Sequence, residues 1–186
     1  MKQIFDIIIS LAFLISILPI LILICIFIKI DSPGSIFFIT ERVGINNTRF
    51  KMIKFRSMYK DTEIVETSDL IDAKTKVTKV GEFLRKFSID EVPQFLCVLS
   101  GKMSIVGPRP ALPSQHDLIE KREELGIDSL KPGITGLAQI NGRDFISLEK
   151  KIALEAEYLK KRNFFFDLKI IIKTIKVVIT QKGVSH

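Results

Sequence analysis

One long apolar run dominates the start of the chain. The 22 residues from Ile7 to Ile28 carry no charge, and Asp6 and Lys29 bracket them. As an α-helix this run is about 33 Å long, enough for the hydrocarbon core of a bilayer. Pro19 lies at its middle and predicts a break, because proline removes a backbone hydrogen bond and kinks a helix. Hydropathy alone does not separate a spanning helix from a re-entrant one that enters and leaves on one side. Either way, residues 1–30 form a membrane unit.

Shorter segments follow, in which apolar residues recur at the spacing of strands or of helices. Alternating positions predict two strands of a small β-hairpin, Ile36–Thr40 and Arg49–Phe55, with a turn at Gly44–Asn47. The polar stretch Tyr59–Val77 predicts a long loop. Apolar residues at helical spacing predict further helices. These are Val80–Phe87, a second helix that begins after a break at Ser88 and ends at Leu99, Ser114–Leu125, and Leu148–Lys161. Gly107–Pro110 and the glycine-rich Lys131–Arg143 predict loops.

The C-terminal segment Phe164–Lys182 predicts an amphipathic helix. Lys169, Lys173 and Lys176 fall on one stripe, while isoleucines and valines occupy the rest of the circumference. A purely cationic polar face favours a helix that lies in a membrane interface over one that only packs on a core. The whole pattern predicts an α+β fold that is mostly helical, with a membrane unit at 1–30 and a second domain at 31–186 that includes the interfacial helix 164–182.

Composition and charge support a membrane partner. Hydrophobic residues make up 47% of the chain, and the net charge is +7. Residues 150–186 hold nine Lys or Arg and three Asp or Glu, a net charge of +6. A basic, apolar-rich terminus suits anionic lipid headgroups. Nucleic acid is not the expected partner, because no recognition motif, no Trp and only two Tyr are present.

The candidate chemistry is concentrated between Arg85 and Gln94. Ser88-Ile-Asp-Glu91 matches the Ser-x-x-Glu capping box, so Asp90 and Glu91 have a purely structural interpretation as helix caps. A helix start with Arg85 nearby would also keep a carboxylate ionised and attract phosphate. In that case Asp90 is a candidate nucleophile toward phosphorus, and Glu91 a candidate Mg²⁺ ligand or proton-transfer group.

Two carboxylates that face a diphosphate need cations beside them. Candidates are Lys54 and Arg56 in the second predicted strand, Arg109 between two prolines, and Arg143 after Asn-Gly. Each alone is explained by a solvated surface charge, except Arg109, whose flanking prolines stiffen its backbone. An arginine fork in a fixed position suits phosphate oxygens.

Four strings occur together and in order. They are Lys54-Phe-Arg-Ser-Met58, Ser88-Ile-Asp-Glu-Val-Pro-Gln94, Met103-Ser-Ile-Val-Gly-Pro-Arg-Pro110, and Lys131-Pro-Gly-Ile-Thr-Gly-Leu-Ala-Gln-Ile-Asn-Gly-Arg143. In these strings the chain closely resembles the bacterial sugar transferase family, the small monotopic polyprenyl-phosphate phosphoglycosyl transferases. The resemblance covers essentially the whole chain.

The resemblance implies a reaction and a site. Asp90 attacks the β-phosphate of a UDP-sugar, releases UMP and carries a covalent phosphosugar, which a polyprenyl (undecaprenyl) phosphate then accepts. Asp90 and Glu91 form the catalytic dyad and the Mg²⁺ site. The expected substrate-binding residues are Lys54, Arg85, Arg109, Gln139, Arg143 and Asp167. The resemblance also implies a re-entrant helix broken at Pro19, and a catalytic domain on the cytoplasmic face of the bacterial inner membrane.

Two other functions are compatible with the residues. One is a membrane-anchored scaffold or binding protein whose carboxylates only cap a helix. The other is a phosphatase acting on lipid diphosphates. No single residue identifies the sugar, the glycan pathway, the polyprenyl length or the oligomeric state, for which a homodimer is one option.

Overall fold

The computed structural model describes residues 2–60, 62, 73–142 and 146–180. Within these ranges the chain is an α+β structure made mostly of helices, as predicted. Its helices are α1 (Lys2–Asp31), α2 (Lys79–Lys86), α3 (Gln94–Leu99), α4 (His116–Glu124), α5 (Leu148–Lys161) and α6 (Phe164–Thr180). Its strands are β1 (Phe37–Val43), β2 (Arg49–Phe55), β3 (Ser104–Val106) and β4 (Gly133–Thr135).

Helix α1 is long and apolar enough to cross a membrane, by length and composition. It is one continuous helix of 30 residues that includes Pro19, so the helix is not interrupted at this proline. The side chain of Pro19 is exposed. Because the loss of one helical hydrogen bond can bend a helix without ending it, the predicted kink and re-entrant path stay predictions.

Both ends of α1 contact the rest of the molecule. Near its N-terminus, Asp6 accepts a hydrogen bond from Ser104 of β3. At its C-terminus, Asp31 accepts one from the backbone N–H of Val80, at 3.0 Å. Ile28 packs with buried Phe55 and Leu84. The helix is therefore fixed to one domain at both ends.

Arg56 closes the C-terminal end of α1. Its buried guanidinium donates to the carbonyl oxygens of Ser32 (2.7 Å) and Pro33 (2.8 Å). Gly34 has a φ of +124°, and a Cβ there would lie 2.2 Å from the Arg56 Nη1 atom. This use of Arg56 as a helix cap differs from its interpretation as a candidate phosphate cation, since both of its terminal nitrogens donate to backbone carbonyls.

The hairpin forms where the alternation predicts it. β1 and β2 pair antiparallel from Phe37 opposite Phe55 to Val43 opposite Arg49. Asn46 and Asn47 both have positive φ, a conformation that asparagine tolerates better than most residues. Phe50 and Met52 point from β2 into the main core.

A second strand pair was not predicted from the sequence. β3 and β4 pair in parallel, Ser104 with Gly133 and Val106 with Thr135. Here Gly107, Gly133 and Gly136 let two backbones touch, because a Cβ on Gly107 would lie 2.3 Å from the carbonyl oxygen of Lys131. Around this pair lies the main core, which includes Val98, Met103, Val106, Ile127, Tyr158 and Ile170.

Candidate active site

The two candidate catalytic carboxylates lie in a tight turn between α2 and α3. Thr78 caps α2 by accepting a hydrogen bond from the backbone N–H of Gly81. After α2, Ser88 adopts a left-handed conformation (φ 54°), and residues Ile89–Glu91 form a single 3₁₀ turn. The reversal of the chain at Ser88 directs the side chains of Asp90 and Glu91 inward. Asp90 is only 9% exposed and Glu91 only 7%.

The capping-box interpretation of this segment is wrong. Ser88 makes no side-chain capping hydrogen bond to the turn that follows it. The regular helix α3 begins three residues after Glu91, at Gln94, and the residue before it is Pro93. A left-handed residue cannot serve as an N-cap, which needs extended backbone angles. The carboxylates are therefore in the 3₁₀ turn before α3 and not in the first turn of an α-helix, and the positive charges beside them come from side chains.

Three predicted cations surround the carboxylates. The Lys54 Nζ atom lies 2.9 Å from Glu91 Oε1, and Arg109 Nη1 lies 3.2 Å from the same oxygen. Arg85, in the last turn of α2, adds a third positive charge that acts on Asp90. The structure thus brings together five predicted site residues from β2, α2, the 3₁₀ turn and the Gly-Pro-Arg-Pro loop.

Burial raises the pKa of the Asp90 carboxyl group above its ordinary value. Lys54, Arg85 and Arg109 oppose this effect, while the negative charge of Glu91 adds to it. Desolvation has the larger effect because the carboxylate loses its water shell, and among the described residues it has no ion pair as close as the one that Glu91 makes with Lys54. Asp90 is consequently more basic than a surface aspartate, and a more basic carboxylate is a better nucleophile.

The loop that carries Arg109 is held through its carbonyl groups. Pro108 accepts from the Gly133 N–H at 2.8 Å, and Ala111 accepts from the Val43 N–H at 3.0 Å. Arg109 itself accepts at its carbonyl oxygen from Arg122 Nη2, at 2.9 Å. The rigidity of this loop therefore comes from β4, β1 and α4 as well as from the two prolines.

Arg122 and its partner Glu155 were missed in the sequence. Arg122 donates to both carboxylate oxygens of Glu155, at 2.6 and 2.8 Å, and both side chains are buried. The available signal was positional: Glu155 stands between Ile152 and Tyr158 on the core face of α5. A charge on an apolar stripe indicates a buried partner.

The three remaining predicted substrate-binding residues, Gln139, Arg143 and Asp167, differ in what the structure describes of them. Gln139 is 7% exposed, and within the described residues neither its amide nitrogen nor its amide oxygen has a hydrogen-bond partner. Arg143 lies outside the described residues. Asp167 contacts Lys2 and Tyr158, so it joins the N-terminal end of α1 to α5 and α6. Its assignment to the phosphate site stays a prediction.

The donor set suits a magnesium ion that is shared with substrate. Among the described residues no group of three or more His, Cys, Asp or Glu side chains gathers at one point. Asp90 and Glu91 offer carboxylate oxygens, the ligands that Mg²⁺ prefers. Mg²⁺ is usually held by one or two carboxylates, substrate phosphates and water, so a pair of carboxylates is sufficient.

Comparison with known proteins identifies the family of the chain. The family model described as bacterial sugar transferase matches residues 1–181. The exopolysaccharide production protein ExoY of Sinorhizobium fredii is 35% identical, over 98% of this chain and 87% of that protein. The uncharacterized sugar transferase EpsL of Bacillus subtilis is 41% identical, over 86% of this chain and 76% of that protein.

A longer relative has a more specific name. The UDP-glucose:undecaprenyl-phosphate glucose-1-phosphate transferase of Escherichia coli is 38% identical over 94% of this chain, which spans 39% of that protein. The matched segment contains both buried carboxylates and all three surrounding cations. The chain belongs to the bacterial sugar transferase family and is an enzyme of that class.

Proposed function

We propose that this protein transfers a sugar 1-phosphate from a UDP-sugar to a polyprenyl phosphate, with Asp90 as the nucleophile. The observation that carries the proposal is the convergence of Lys54, Arg85 and Arg109 on two adjacent buried carboxylates. Three cations exceed what two carboxylates need for neutrality. The surplus positive charge suits a diphosphate substrate.

In the first step, a carboxylate oxygen of Asp90 forms a bond to the β-phosphorus of the UDP-sugar. The bond between that phosphorus and the bridging oxygen breaks, and UMP leaves with the electron pair. Arg109 and Arg85 are positioned to balance the charge on the phosphate oxygens, because arginine forks match this geometry. Lys54 holds Glu91 next to the reacting carboxylate.

In the second step, an oxygen of the lipid phosphate attacks the same phosphorus. The acyl-phosphate bond to Asp90 breaks, the carboxylate is regenerated, and the product is a polyprenyl-diphospho-sugar. Splitting the transfer in two lets an aqueous donor and a lipid acceptor use the site in turn. Mg²⁺, held by Asp90, Glu91 and the diphosphate, would supply further charge neutralisation.

The placement of α1 supports a catalytic domain on one side of the membrane. A spanning helix has its ends on opposite sides, whereas Asp6 and Asp31 both bond to the same domain. We infer that α1 is re-entrant or lies within one leaflet, with the domain on the cytoplasmic face of the bacterial inner membrane. There the active site is close both to lipid phosphates and to soluble sugar nucleotides.

Helix α6 supports the same placement. Its core face carries Ile170, which is buried, while Leu168, Ile172, Ile175 and Ile179 are exposed on the opposite side. Lys169, Lys173 and Lys176 lie exposed beside this apolar stripe. An exposed apolar stripe flanked by lysines suits the boundary between headgroups and acyl chains.

The test is UMP release from a panel of UDP-sugars, with Mg²⁺ and undecaprenyl phosphate. The panel begins with UDP-glucose and includes UDP-galactose and UDP-N-acetylhexosamines. We expect turnover of at least one donor, and a phosphosugar adduct on Asp90 by intact mass when the acceptor is omitted. Asp90→Asn should lower turnover by at least about 10³-fold, because it removes the nucleophile.

Glu120→Gln provides the matched control, since it makes the same carboxylate-to-amide change at an exposed position of α4. It should leave turnover unchanged. Normal turnover by Asp90→Asn would contradict the nucleophile assignment. Release of inorganic phosphate from lipid diphosphates would favour the phosphatase, and complete absence of UMP release would favour the binding protein.

A further inference from the structure

The buried ion pair between Arg122 and Glu155 lies outside the set of predicted site residues. Arg122 is on α4 and Glu155 on α5, and their side chains are 9% and 2% exposed. Two of the hydrogen bonds that Arg122 donates go to Glu155, and a third goes to the carbonyl oxygen of Arg109. The pair therefore connects two helices to the loop of the candidate active site.

Stability alone is a weak explanation for this pair. Removing two charges from water is costly, and apolar residues of similar volume often hold helices together equally well. The same two helices also have a surface ion pair, Lys121 with Glu149, at 3.8 Å. Apolar side chains could replace the link between α4 and α5, but they could not donate a hydrogen bond to the carbonyl group of Arg109.

The chemistry of the loop explains why that carbonyl matters. Pro110 has no backbone N–H, so the peptide group between Arg109 and Pro110 can be held only through its oxygen. Arg122 supplies the donor for this oxygen. The orientation of this peptide sets the direction in which the Arg109 side chain leaves the backbone, and that side chain reaches Glu91.

We propose that Arg122 and Glu155 are positioning residues that fix Arg109 beside Glu91 and the substrate diphosphate. Glu155 orients the guanidinium of Arg122, and Arg122 orients the peptide plane of Arg109. The part of this inference that concerns the diphosphate rests on the proposed function. The part that concerns the position of Arg109 stands independently of it.

The test uses Arg122→Met combined with Glu155→Leu in the full chain. Removing only one partner would leave a buried, unpaired charge and would unfold the protein for an unrelated reason. The double variant keeps apolar packing between α4 and α5. We expect thermal unfolding close to that of the parent protein and a kcat/KM for UMP release that is about 10- to 100-fold lower, the usual consequence of a slightly misplaced group.

Lys121→Met combined with Glu149→Leu is the matched control, because it removes an ion pair between the same helices that does not contact Arg109. It should leave kcat/KM unchanged. Both double variants are also made in an Arg109→Ala background, so that a double-mutant cycle separates positioning from general damage. In that background the Arg122/Glu155 change should have no further effect. A loss that persists there would overturn the inference.

Crystal structures of the parent protein and the Arg122/Glu155 variant test the position of Arg109 without depending on enzymatic activity. Loss of the contact between Arg109 Nη1 and Glu91 Oε1 in the variant supports the inference, and an unchanged Arg109 side chain overturns it. If the parent protein releases no UMP from any UDP-sugar, the proposed function fails while this comparison still decides the role of the pair.

Discussion

At the scale of single residues, the burial of Asp90 and the charges around it are expected to lower the free energy of unfolding by a measurable amount. Its carboxyl group has a raised pKa because desolvation outweighs the attraction of Lys54, Arg85 and Arg109. An acid whose pKa is higher in the folded protein than in the unfolded chain destabilises the fold once the pH rises above the unfolded value. The candidate nucleophile is therefore expected to reduce stability at neutral pH.

Asp90→Asn should accordingly raise the free energy of unfolding at pH 7.5, because an amide of the same shape avoids the buried charge. The gain should shrink as the pH falls through the raised pKa of the folded protein, and should vanish near the unfolded value of about 3.9. Thermal unfolding of parent and variant across this range measures the difference. Glu120→Gln, at an exposed site, is the matched control for the change from carboxylate to amide. A loss of stability that grows as the pH rises would mean that the ionised carboxylate is a net stabiliser.

At the scale of elements, the sequence predicts long periodic segments well and short non-local ones poorly. The helix Leu148–Lys161 has its predicted bounds, and the break at Ser88 is confirmed. The strands β3 and β4 have three residues each and pair across about 30 residues, so no local period indicates them. The capping box failed for another reason: the left-handed backbone at Ser88 depends on packing that the motif does not encode.

The N-cap of α2 tests how much this helix, which precedes the 3₁₀ turn with Asp90 and Glu91, depends on its cap for stability. Thr78 is buried and accepts from the Gly81 N–H at 3.0 Å. Thr78→Ala should lower the free energy of unfolding by about 1 kcal/mol, the usual cost of a lost cap. Thr78→Ser keeps the accepting oxygen and is the control. Chemical denaturation in detergent measures both, and equal losses for the two variants would show that the methyl group matters more than the cap.

The exposed stripe of α6 can be tested with a fluorescent probe, because the chain contains no Trp. Ile172→Trp introduces a single indole on the stripe that points away from the core. In vesicles, lipids brominated on their acyl chains should quench its fluorescence strongly. Glu120→Trp, exposed on α4, should be quenched little. Equal quenching of the two probes would contradict an interfacial α6.

At the scale of the whole molecule, contacts between residues distant in sequence determine how the candidate site is arranged, which the sequence alone does not predict. The resemblance implies that Lys54, Arg85 and Arg109 belong to the site, but only the fold shows how they lie around Asp90 and Glu91. The pairing of Arg122 with Glu155, 33 residues apart, leaves no motif in the sequence. The resemblance to a family identified the residues of the dyad, but only the fold shows what supports them.

The one-sided placement of α1 predicts a labelling pattern. Gln3→Cys, on the exposed side of the first turn, and Glu120→Cys, on α4, should react with a membrane-impermeant maleimide in inverted inner-membrane vesicles. Neither should react in intact spheroplasts. The parent protein serves as the blank, since Cys97 is buried and Cys25 lies within α1. Labelling of Gln3→Cys in spheroplasts would indicate a spanning helix.

The two-ended attachment of α1 also sets an order of events during synthesis. Lys2 pairs with Asp167, 165 residues further along the chain, and Asp6 pairs with Ser104. At roughly 5–20 residues per second, roughly 8–33 s pass between synthesis of the helix and synthesis of Asp167. During that time the lipid bilayer is available to α1 before its protein partners exist. The N-terminal end of α1 therefore reaches its final contacts only after α6 has been made.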